Sequence, residues 1–350
     1  MPPRTRSFRH KGLVYSTDSG PGIRRFRRGR GFEYRRAGGG VVRDRRILQR
    51  ISSLAIPPAW EQVWICPDPR GHIQATGRDA RGRKQFRYHA RWTELSDAEK
   101  YARLIGFCKV LPRIRRRVAR DLRRPGLPRE RVIAAIVWLL ETTLIRVGNT
   151  EYARENNSFG LTTLRDRHAK VRGSMIRLRF RAKSGREVEA FVADRRVARV
   201  VKECQDLPGQ VLFAYVDESG ESRTVSSEDV NEYLRETSGA DYTAKDFRTW
   251  AGTVLAALTL RDAKSFESET EAKRNVVAAI DKVARRLGNT RAVCRRSYVH
   301  PAVIDSYLDK SLDTALNGAG RLPADGSPVP SIEAAVLSLL RGRLRSRARR

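Results

Sequence analysis

The chain has 350 residues, with 71 Lys and Arg against 39 Asp and Glu, a formal net charge of +32. A chain of this length can bury a substantial core, and two domains are the default expectation. No apolar run approaches the roughly 18 residues of a membrane span. The N-terminus lacks the apolar segment that a secretory signal would need. The cysteines and histidines are scattered, and their spacing favours neither a zinc site nor a disulfide framework.

The basic charge is spread over the whole chain. The first fifty residues carry 15 basic and 3 acidic side chains and the last ten carry six arginines, yet the remainder is still strongly basic. Such a field favours a polyanion, and nucleic acid is the first candidate. A ribosome-associated or heparin-like binder is the alternative that charge alone leaves open. We expect a cytoplasmic, nucleoid-associated protein without membrane contact.

Residues 1–40 mix Arg, Gly, Ser and Pro, and we expect them to form a mobile basic arm that adds non-specific phosphate contacts. A merely solubilising extension is the alternative. From residue 41 to 95 the composition becomes globular: a helix is predicted over 45–54, and short strands over 63–65 and 72–76 flank a Pro/Gly turn. This pattern predicts a small mixed α+β domain.

Cations, an amide and aromatic rings alternate over residues 77–89. On a strand, one face would carry Lys84, Phe86 and Tyr88, and the other Arg83, Gln85 and Arg87. The cations can hold phosphates, Gln85 can contact a base edge, and the rings can pack on sugars. A solvated edge strand with two buried rings is the alternative.

Residues 96–315 predict a mostly helical second domain. A break at 91–96 and a capping box of Ser96 and Glu99 predict a helix from Asp97, which Pro112 should bend or divide. Residues 132–144 are apolar nearly all round and predict a core helix. Alternation over 176–192, with a connection at 182–185, predicts a β-hairpin. Further helices are predicted over 195–203, 226–236, 244–260, 270–287 (with Gly288 as C-cap) and 301–312. Residues 316–350 are rich in Gly, Pro and Arg, and we predict that they form a loose tail.

Five positions combine into a chemical pattern in the order Arg, Lys, Arg, Asn, Tyr. They are Arg146 at a helix end, Lys183 at the hairpin tip, Arg248, Asn289 and Tyr298. Taken singly, each has an ordinary explanation: a packed tyrosine, a capping arginine or an exposed turn lysine. Together they place cations and an amide around a phenol, which suits chemistry on a phosphate.

The order of these motifs, with Gly82-Arg83-Lys84-Gln85-Phe86-Arg87-Tyr88 upstream, resembles the bacterial, poxvirus-type type IB DNA topoisomerases. The resemblance runs from about residue 48 to 312. It implies an α+β protein in which a small β-containing N-terminal domain and a mostly α-helical catalytic domain with a β-hairpin form a C-shaped clamp around double-stranded DNA. A monomer on DNA is expected.

The resemblance also implies the roles of the residues. Tyr298 would attack the scissile phosphate, form a 3′-phosphotyrosyl link and release a 5′-hydroxyl, so that supercoils relax by strand rotation and religation. Arg146, Arg248 and Asn289 would stabilise the transition state, and Lys183 would protonate the leaving oxygen. No cofactor is implied, neither Mg²⁺ nor ATP. The further DNA contacts implied are Lys245, Arg83, Lys84, Gln85, Tyr88, Asn149 and Tyr152.

One position departs from the family pattern, because many members carry histidine where this chain has Asn289. Asparagine donates a hydrogen bond but cannot become cationic. Two alternative functions stay open. A site-specific tyrosine recombinase uses a similar residue set, although it usually has histidine where this chain has Lys245. The other is a basic DNA-binding protein without activity.

Overall fold

The computed structural model describes residues 12–263, 265–318 and 330–348; the side chains of residues 94, 96–98, 100, 152, 347 and 348 fall outside that description. The chain divides into two compact units, Met1–Tyr101 and Ala102–Arg350. Among the helices of the described residues, none is long and apolar enough to cross a membrane.

The first unit is built on a five-stranded antiparallel sheet with the order β2-β1-β3-β4-β5. Its strands are β1 (Ile23–Arg28), β2 (Gly31–Arg35), β3 (Glu61–Ile65), β4 (Ile73–Arg78) and β5 (Lys84–Tyr88). Helix α1 (Arg45–Ser53) begins at Asp44, whose side chain accepts from the N–H groups of Arg46 and Ile47. The predicted helix and the two predicted strands of this region are confirmed.

One face of the sheet packs on α1. The core consists of buried aliphatic side chains from the helix, the strands and a connecting segment, namely Ile23, Val42, Ile51, Val63, Ile65 and Ala75. Ile23 pairs with Ile65, and Ile65 pairs with Ala75, so these three lie in one row on the α1 side. The opposite face is therefore free to carry polar and charged residues.

The prediction of a mobile arm over residues 1–40 is wrong for the part that the structure describes. Residues 23–35 form the β1–β2 hairpin, and Ile23 is only 2% exposed. Arg25 holds the hairpin to the α1 side by donating to the carbonyls of Pro57 (3.0 Å) and Trp60 (2.6 Å). Composition misled the prediction because arginine stems can line an edge hairpin while their charged ends remain in water. Residues 1–11 lie outside the described residues.

The second unit is mostly helical. Its helices are α2 (Ala90–Asp121, which begins in the first unit), α3 (Arg129–Thr143), α4 (Thr150–Asn156), α5 (Arg195–Gln205), α6 (Ser227–Ser238), α7 (Ala244–Arg261), α8 (Glu269–Leu287), α9 (Arg291–Ser297), α10 (Pro301–Leu308), α11 (Leu312–Ala315) and α12 (Pro330–Ala348). Two small antiparallel sheets accompany them: β6 (Ala169–Arg172), β7 (Met175–Arg181) and β8 (Glu187–Ala193), and the pair β9 (Ala214–Val216) and β10 (Ser222–Thr224). The α+β class is confirmed.

The core helix and the hairpin are found where they were predicted. Most side chains of α3 are buried, including Ile133, Ile136 and Leu140 at 0% exposure. In the β7–β8 hairpin, Ile176 pairs with Val192 and Phe180 with Val188, which is the predicted alternation.

Two predicted helix limits are wrong. Helix α2 begins at Ala90 rather than at Asp97, and it contains Pro112 without being divided into two helices. A proline inside a helix costs one backbone hydrogen bond, but the buried apolar side of α2 (Leu104, Leu111, Ile114 and Val118) joins the large core of the second unit and favours continuity. The helix predicted over 301–312 ends at Leu308, and Lys310 adopts a left-handed conformation with φ 61°.

The prediction of a loose tail is wrong for α12, whereas residues 319–329 lie outside the described residues. Ile332, Val336 and Leu340 are spaced by four and fully buried, so they form an apolar stripe against the core. Glu333 beside them accepts two hydrogen bonds from Arg115 (2.8 and 3.0 Å) and one from the Trp250 indole (2.8 Å). Helix α12 is therefore fixed to α2 and α7.

We predict that Glu333→Ala lowers the free energy of unfolding of the second unit by about 3 kcal/mol, because Arg115 and the Trp250 N–H lose a buried acceptor. Glu228→Ala is the matched control: Glu228 is exposed and pairs with Arg235 at 2.6 Å, and its loss should cost at most about 0.5 kcal/mol. Denaturant unfolding followed by tryptophan fluorescence measures both. Equal midpoints would contradict the structural role of α12.

Candidate active site

One cavity of about 500 Å³ in the second unit brings together most of the catalytic residues predicted from the sequence. Its lining includes Arg146, Asn149, Lys183, Lys245, Arg248 and Tyr298. These residues come from four separate segments of the chain. Asn289 lies against the same group, because its side-chain oxygen accepts a hydrogen bond from Arg146.

Arg146 follows the end of α3, where the chain reverses through Leu144 in a left-handed conformation with φ 59°. Its loop is fixed by neighbouring backbone: the N–H of Leu161 donates to the Arg146 carbonyl (2.9 Å), and the N–H of Thr162 donates to the Val147 carbonyl (2.6 Å). Gly160 makes this approach possible, since a Cβ there would lie 2.7 Å from the Arg146 carbonyl oxygen.

Arg248 is held inside the protein on α7, at 4% exposure. Its guanidinium donates to the carbonyl of Leu144, at the end of α3, and to the carbonyl of Leu287 (2.7 Å), at the end of α8. Burial, and secondarily repulsion from Arg146, lower the pKa of Arg248 to about 10, while Tyr298 opposes that lowering. The group is still cationic at neutral pH, and an added anion would stabilise it.

Asn289 follows Gly288, which ends α8 with φ 59° as its predicted C-cap. Arg146 donates to the Gly288 carbonyl (3.2 Å) and to the side-chain oxygen of Asn289. The Asn289 side-chain nitrogen is buried and has no oxygen or nitrogen acceptor among the described residues. Because the oxygen is already bound, the nitrogen is the part of this amide that remains to donate to a ligand.

Tyr298 ends α9, and its backbone rests on α7. A Cβ at Gly252 would lie 2.7 Å from the Tyr298 carbonyl oxygen and 3.3 Å from its Cβ, so only glycine allows this approach. One residue further on, the Thr253 hydroxyl accepts from the His300 N–H (3.2 Å). The Tyr298 ring lies 5.4 Å from the Arg248 guanidinium carbon. Helix α7 therefore positions both the arginine and the tyrosine.

Lys183 lies in the tight connection between β7 and β8. The connection is closed by two hydrogen bonds, from Ala182 N–H to the Arg186 carbonyl (2.7 Å) and from Gly185 N–H to the Ala182 carbonyl (3.1 Å). The Phe159 N–H donates to the Arg181 carbonyl (2.8 Å) and ties the hairpin to the segment that supports Arg146. Lys183 is exposed and lines the cavity.

Three further predicted contacts belong to this unit. Lys245 is exposed on α7, three residues before Arg248 and so close to one helical turn away, and it lines the same cavity. Asn149 precedes α4, and its carbonyl accepts from Ala153 N–H (3.0 Å). The backbone of Tyr152 lies in α4, but its side chain is outside the described residues.

Sequence reasoning missed the residues that hold the site in place. Gly252 and Thr253 carry no chemical group that would mark them, and only the packing of Tyr298 reveals their role. Cys294, fully buried on α9, was also missed; burial raises the pKa of its thiol, and the nearby Arg248 and Arg146 partly offset this effect. No sequence pattern marks a buried cysteine whose thiol lies close to two arginine side chains.

The contacts predicted on β5 lie in the first unit. Arg83 and Gln85 both donate to the Asp79 carboxylate (2.8 and 2.9 Å), and Lys84 pairs with Asp18 (2.6 Å). Tyr88 is 44% exposed and stacks on Phe86, which is 40% exposed. The alternative is therefore wrong about two buried rings, although β5 is an edge strand of the sheet.

The cavity can support phosphate chemistry with a phenol as nucleophile. Two guanidiniums and two ammonium groups line the cavity with Tyr298, beside the carboxylates of Glu151 and Glu155, and the cations would attract an anionic ligand. No group of three or more His, Cys, Asp or Glu among the described residues is arranged to hold a metal ion.

Comparison with known proteins covers both units. The family model described as "Eukaryotic DNA topoisomerase I, catalytic core" matches residues 89–316, and "Bacterial DNA topoisomerase IB, N-terminal domain" matches residues 31–79. The "DNA topoisomerase 1B" of Acanthamoeba polyphaga mimivirus is 34% identical over 267 residues, which cover 74% of this chain and 80% of the relative. The "DNA topoisomerase 1B" of Vaccinia virus (strain Copenhagen) is 20% identical over 271 residues, covering 76% of this chain and 82% of the relative.

The catalytic-core match extends over more than half of the chain and contains every residue that lines the cavity around Tyr298. The N-terminal match lies in the first unit and covers β2, α1, β3 and β4. The chain therefore belongs to the type IB DNA topoisomerase family.

Proposed function

We propose that this protein relaxes supercoiled duplex DNA by cutting one strand transiently through a 3′-phosphotyrosyl link to Tyr298. The strand then rotates and is religated. The observation that carries the proposal is the single cavity lined by Tyr298, Arg146, Arg248, Lys183 and Lys245. A phenol with several cations in the same cavity is suited to attack a phosphodiester, because the cations can bind the negative charge of the substrate and of the transition state.

Tyr298 attacks the scissile phosphorus, and the bond to the 5′-oxygen breaks. A free phenol has a pKa near ~10 and is a weak nucleophile at neutral pH, so its proton must leave as the bond to phosphorus forms. The 5.4 Å between the Arg248 guanidinium carbon and the ring places that cation beside the nucleophile. Gly252 fixes the tyrosine backbone, so that little conformational entropy is lost when the reacting atoms meet.

The transition state gathers charge on the non-bridging phosphate oxygens, and preorganised donors stabilise it. Arg146 and Arg248 supply two guanidiniums that are already held by backbone carbonyls. Asn289 acts in two ways: its oxygen orients Arg146, and its nitrogen is the donor left for a phosphate oxygen. Asparagine cannot titrate, so this contribution should not change near the pKa of histidine.

Lys183 protonates the departing 5′-oxygen, and in religation it takes the proton back from the 5′-hydroxyl. Lys245 lines the same cavity and adds a further phosphate contact. The phosphotyrosyl diester conserves the energy of the broken bond, so resealing needs no ATP. These cations supply the positive charge at the phosphate, and we expect relaxation without added divalent metal.

We further propose that the protein works as a monomer on duplex DNA, associated with the nucleoid. In the second unit, the DNA contacts are Asn149 and Tyr152. In the first unit, they are Arg83, Lys84, Gln85 and Tyr88. The exposed, stacked rings of Phe86 and Tyr88 support this assignment, since solvent-exposed aromatic pairs are costly unless a partner covers them.

We predict that the protein relaxes both positively and negatively supercoiled plasmid in EDTA without ATP, and that Tyr298→Phe abolishes relaxation. Tyr215→Phe, which alters a half-buried tyrosine on β9 outside the cavity, should retain it. Gel electrophoresis of topoisomers measures both. Undiminished relaxation by Tyr298→Phe would sink the proposal, and a requirement for two cognate sites with exchanged products would indicate a recombinase.

We predict that Lys183→Ala slows single-turnover cleavage by about 10²- to 10³-fold on ordinary DNA, because the alkoxide leaves unprotonated. A substrate with sulfur at the 5′-bridging position should restore most of the rate, since a thiolate needs no proton to leave. Lys170→Ala, at an exposed position on β6, is the control. An equal loss on both substrates would rule out proton donation by Lys183.

We predict that Gly252→Ala slows cleavage and religation by about 10²-fold each, because the added Cβ pushes on the Tyr298 carbonyl and misplaces the nucleophile. DNA affinity and the fraction of covalent complex at equilibrium should not change. Gly342→Ala, where a helical Cβ meets nothing within 4 Å, serves as control. A normal cleavage rate in Gly252→Ala would show that Tyr298 is not held by this contact.

A further inference from the structure

A row of paired residues crosses the whole sheet of the first unit on the face away from α1. The strand registers link these residues in order: Arg35, Arg24, Trp64, Thr76 and Phe86. Because paired residues of neighbouring strands point to the same side, β1–β2 and β5 present their outward side chains on one common face. Side chains two positions further along each strand share this face.

The middle of this face is covered, and its two edges are exposed. Trp64 and Thr76 are each 2% exposed, since the Trp64 indole donates to the Gly20 carbonyl (3.2 Å) and the Thr76 hydroxyl donates to Asp18 (2.9 Å). The edges form two strips, which we call the hairpin strip (Arg24, Phe26, Arg28 and Arg35) and the β5 strip (Lys84, Phe86 and Tyr88).

The two strips share one feature, an exposed aromatic ring with a cation close to it. In the hairpin strip, Phe26 is 48% exposed and the Arg35 guanidinium carbon lies 5.3 Å from its ring centre. In the β5 strip, the Lys84 ammonium lies 5.6 Å from the ring centre of Phe86. Stacked rings and cations are the groups that contact sugars and phosphates of nucleic acids.

The charge of the hairpin strip is only partly compensated within the protein. Glu33, on the same face, pairs with both Arg28 and Arg35. Arg24 is exposed and has no carboxylate within salt-bridge distance among the residues that the structure describes. The strip therefore keeps a net positive charge, which complements a phosphate backbone.

The spacing of the strips fits one duplex. Three strand spacings of about 4.8 Å separate β1 from β5, roughly 14 Å, close to the ~12 Å width of the DNA major groove. We propose that the hairpin strip binds the DNA phosphate backbone of the same duplex that the β5 strip contacts, so that this face of the sheet holds DNA at two edges. The inference rests on the proposed function, and Arg24, Phe26 and Arg28 lie outside both matched family regions.

The test measures equilibrium binding of the full-length Tyr298→Phe protein to a short duplex at several salt concentrations. Arg24→Ala/Arg28→Ala should weaken binding by about tenfold, and the slope of log affinity against log salt should become shallower by about 1.8, because two phosphate contacts are lost. Phe26→Ala should weaken binding without changing the slope, since it removes no charge.

The control removes two charges from the other side of the sheet. Arg27 lies on the opposite face of the same hairpin, because β1 alternates, and Arg46 is exposed on α1. Arg27→Ala/Arg46→Ala should change the slope by less than about 0.5, as long-range attraction alone is screened. Equal slope changes in the two double variants would overturn the proposal, and so would an unchanged slope in Arg24→Ala/Arg28→Ala.

A folding defect in the first double variant would show as a lower melting temperature. In that case Arg24→Gln alone decides, with an expected slope change of about 0.9, because this side chain has no carboxylate partner to lose. The binding assay does not depend on strand cleavage. If the wild-type protein failed to relax plasmid while Arg24→Ala/Arg28→Ala still gave the shallower salt slope, the proposed function would fail and the hairpin strip would stand. If the wild-type protein relaxed plasmid but this double variant kept the full slope, the function would stand and the strip would be rejected.

Discussion

The buried guanidinium of Arg248 is the interaction on which the site depends. A cation at 4% exposure must be compensated, and here two helix ends supply the carbonyls of Leu144 and Leu287. Helix C-termini carry partial negative charge, so these are favourable acceptors. The same contacts join the ends of α3 and α8 to α7. Arg146 and Asn289 follow those ends directly, and so their positions relative to Arg248 are set by one buried group.

Electrostatics links this arrangement to ligand choice. Burial, and secondarily repulsion from Arg146, lowers the pKa of Arg248 to about 10. An anion between them removes the repulsion, so a phosphate stabilises the site that binds it. The net charge of +32 adds a long-range attraction for DNA. Local and global charge therefore favour the same substrate, and the carbonyl contacts of Arg146 and Arg248 hold the two guanidiniums in place.

The chemical residues could be predicted from sequence, because phenol, guanidinium and ammonium groups are recognisable and their order is distinctive. The long helices and the β7–β8 hairpin could be predicted as well, since their apolar periodicity is strong. The β1–β2 hairpin and α12 could not, because arginine-rich composition hides a few apolar residues such as Ile23 and Ile332 that become fully buried. Gly252 could not be recognised either, since its role exists only in the packed contact with Tyr298.

The central claim is that Tyr298 becomes joined to the 3′-phosphate of a cut strand. Trapping the complex with denaturant, digesting protein and DNA, and sequencing the nucleotide-bearing peptide by mass spectrometry tests it directly. The account predicts one modified peptide, with a 3′-linked nucleotide on Tyr298 and a free 5′-hydroxyl on the other DNA fragment. A nucleotide attached to any other residue, or joined through its 5′-phosphate, would contradict it.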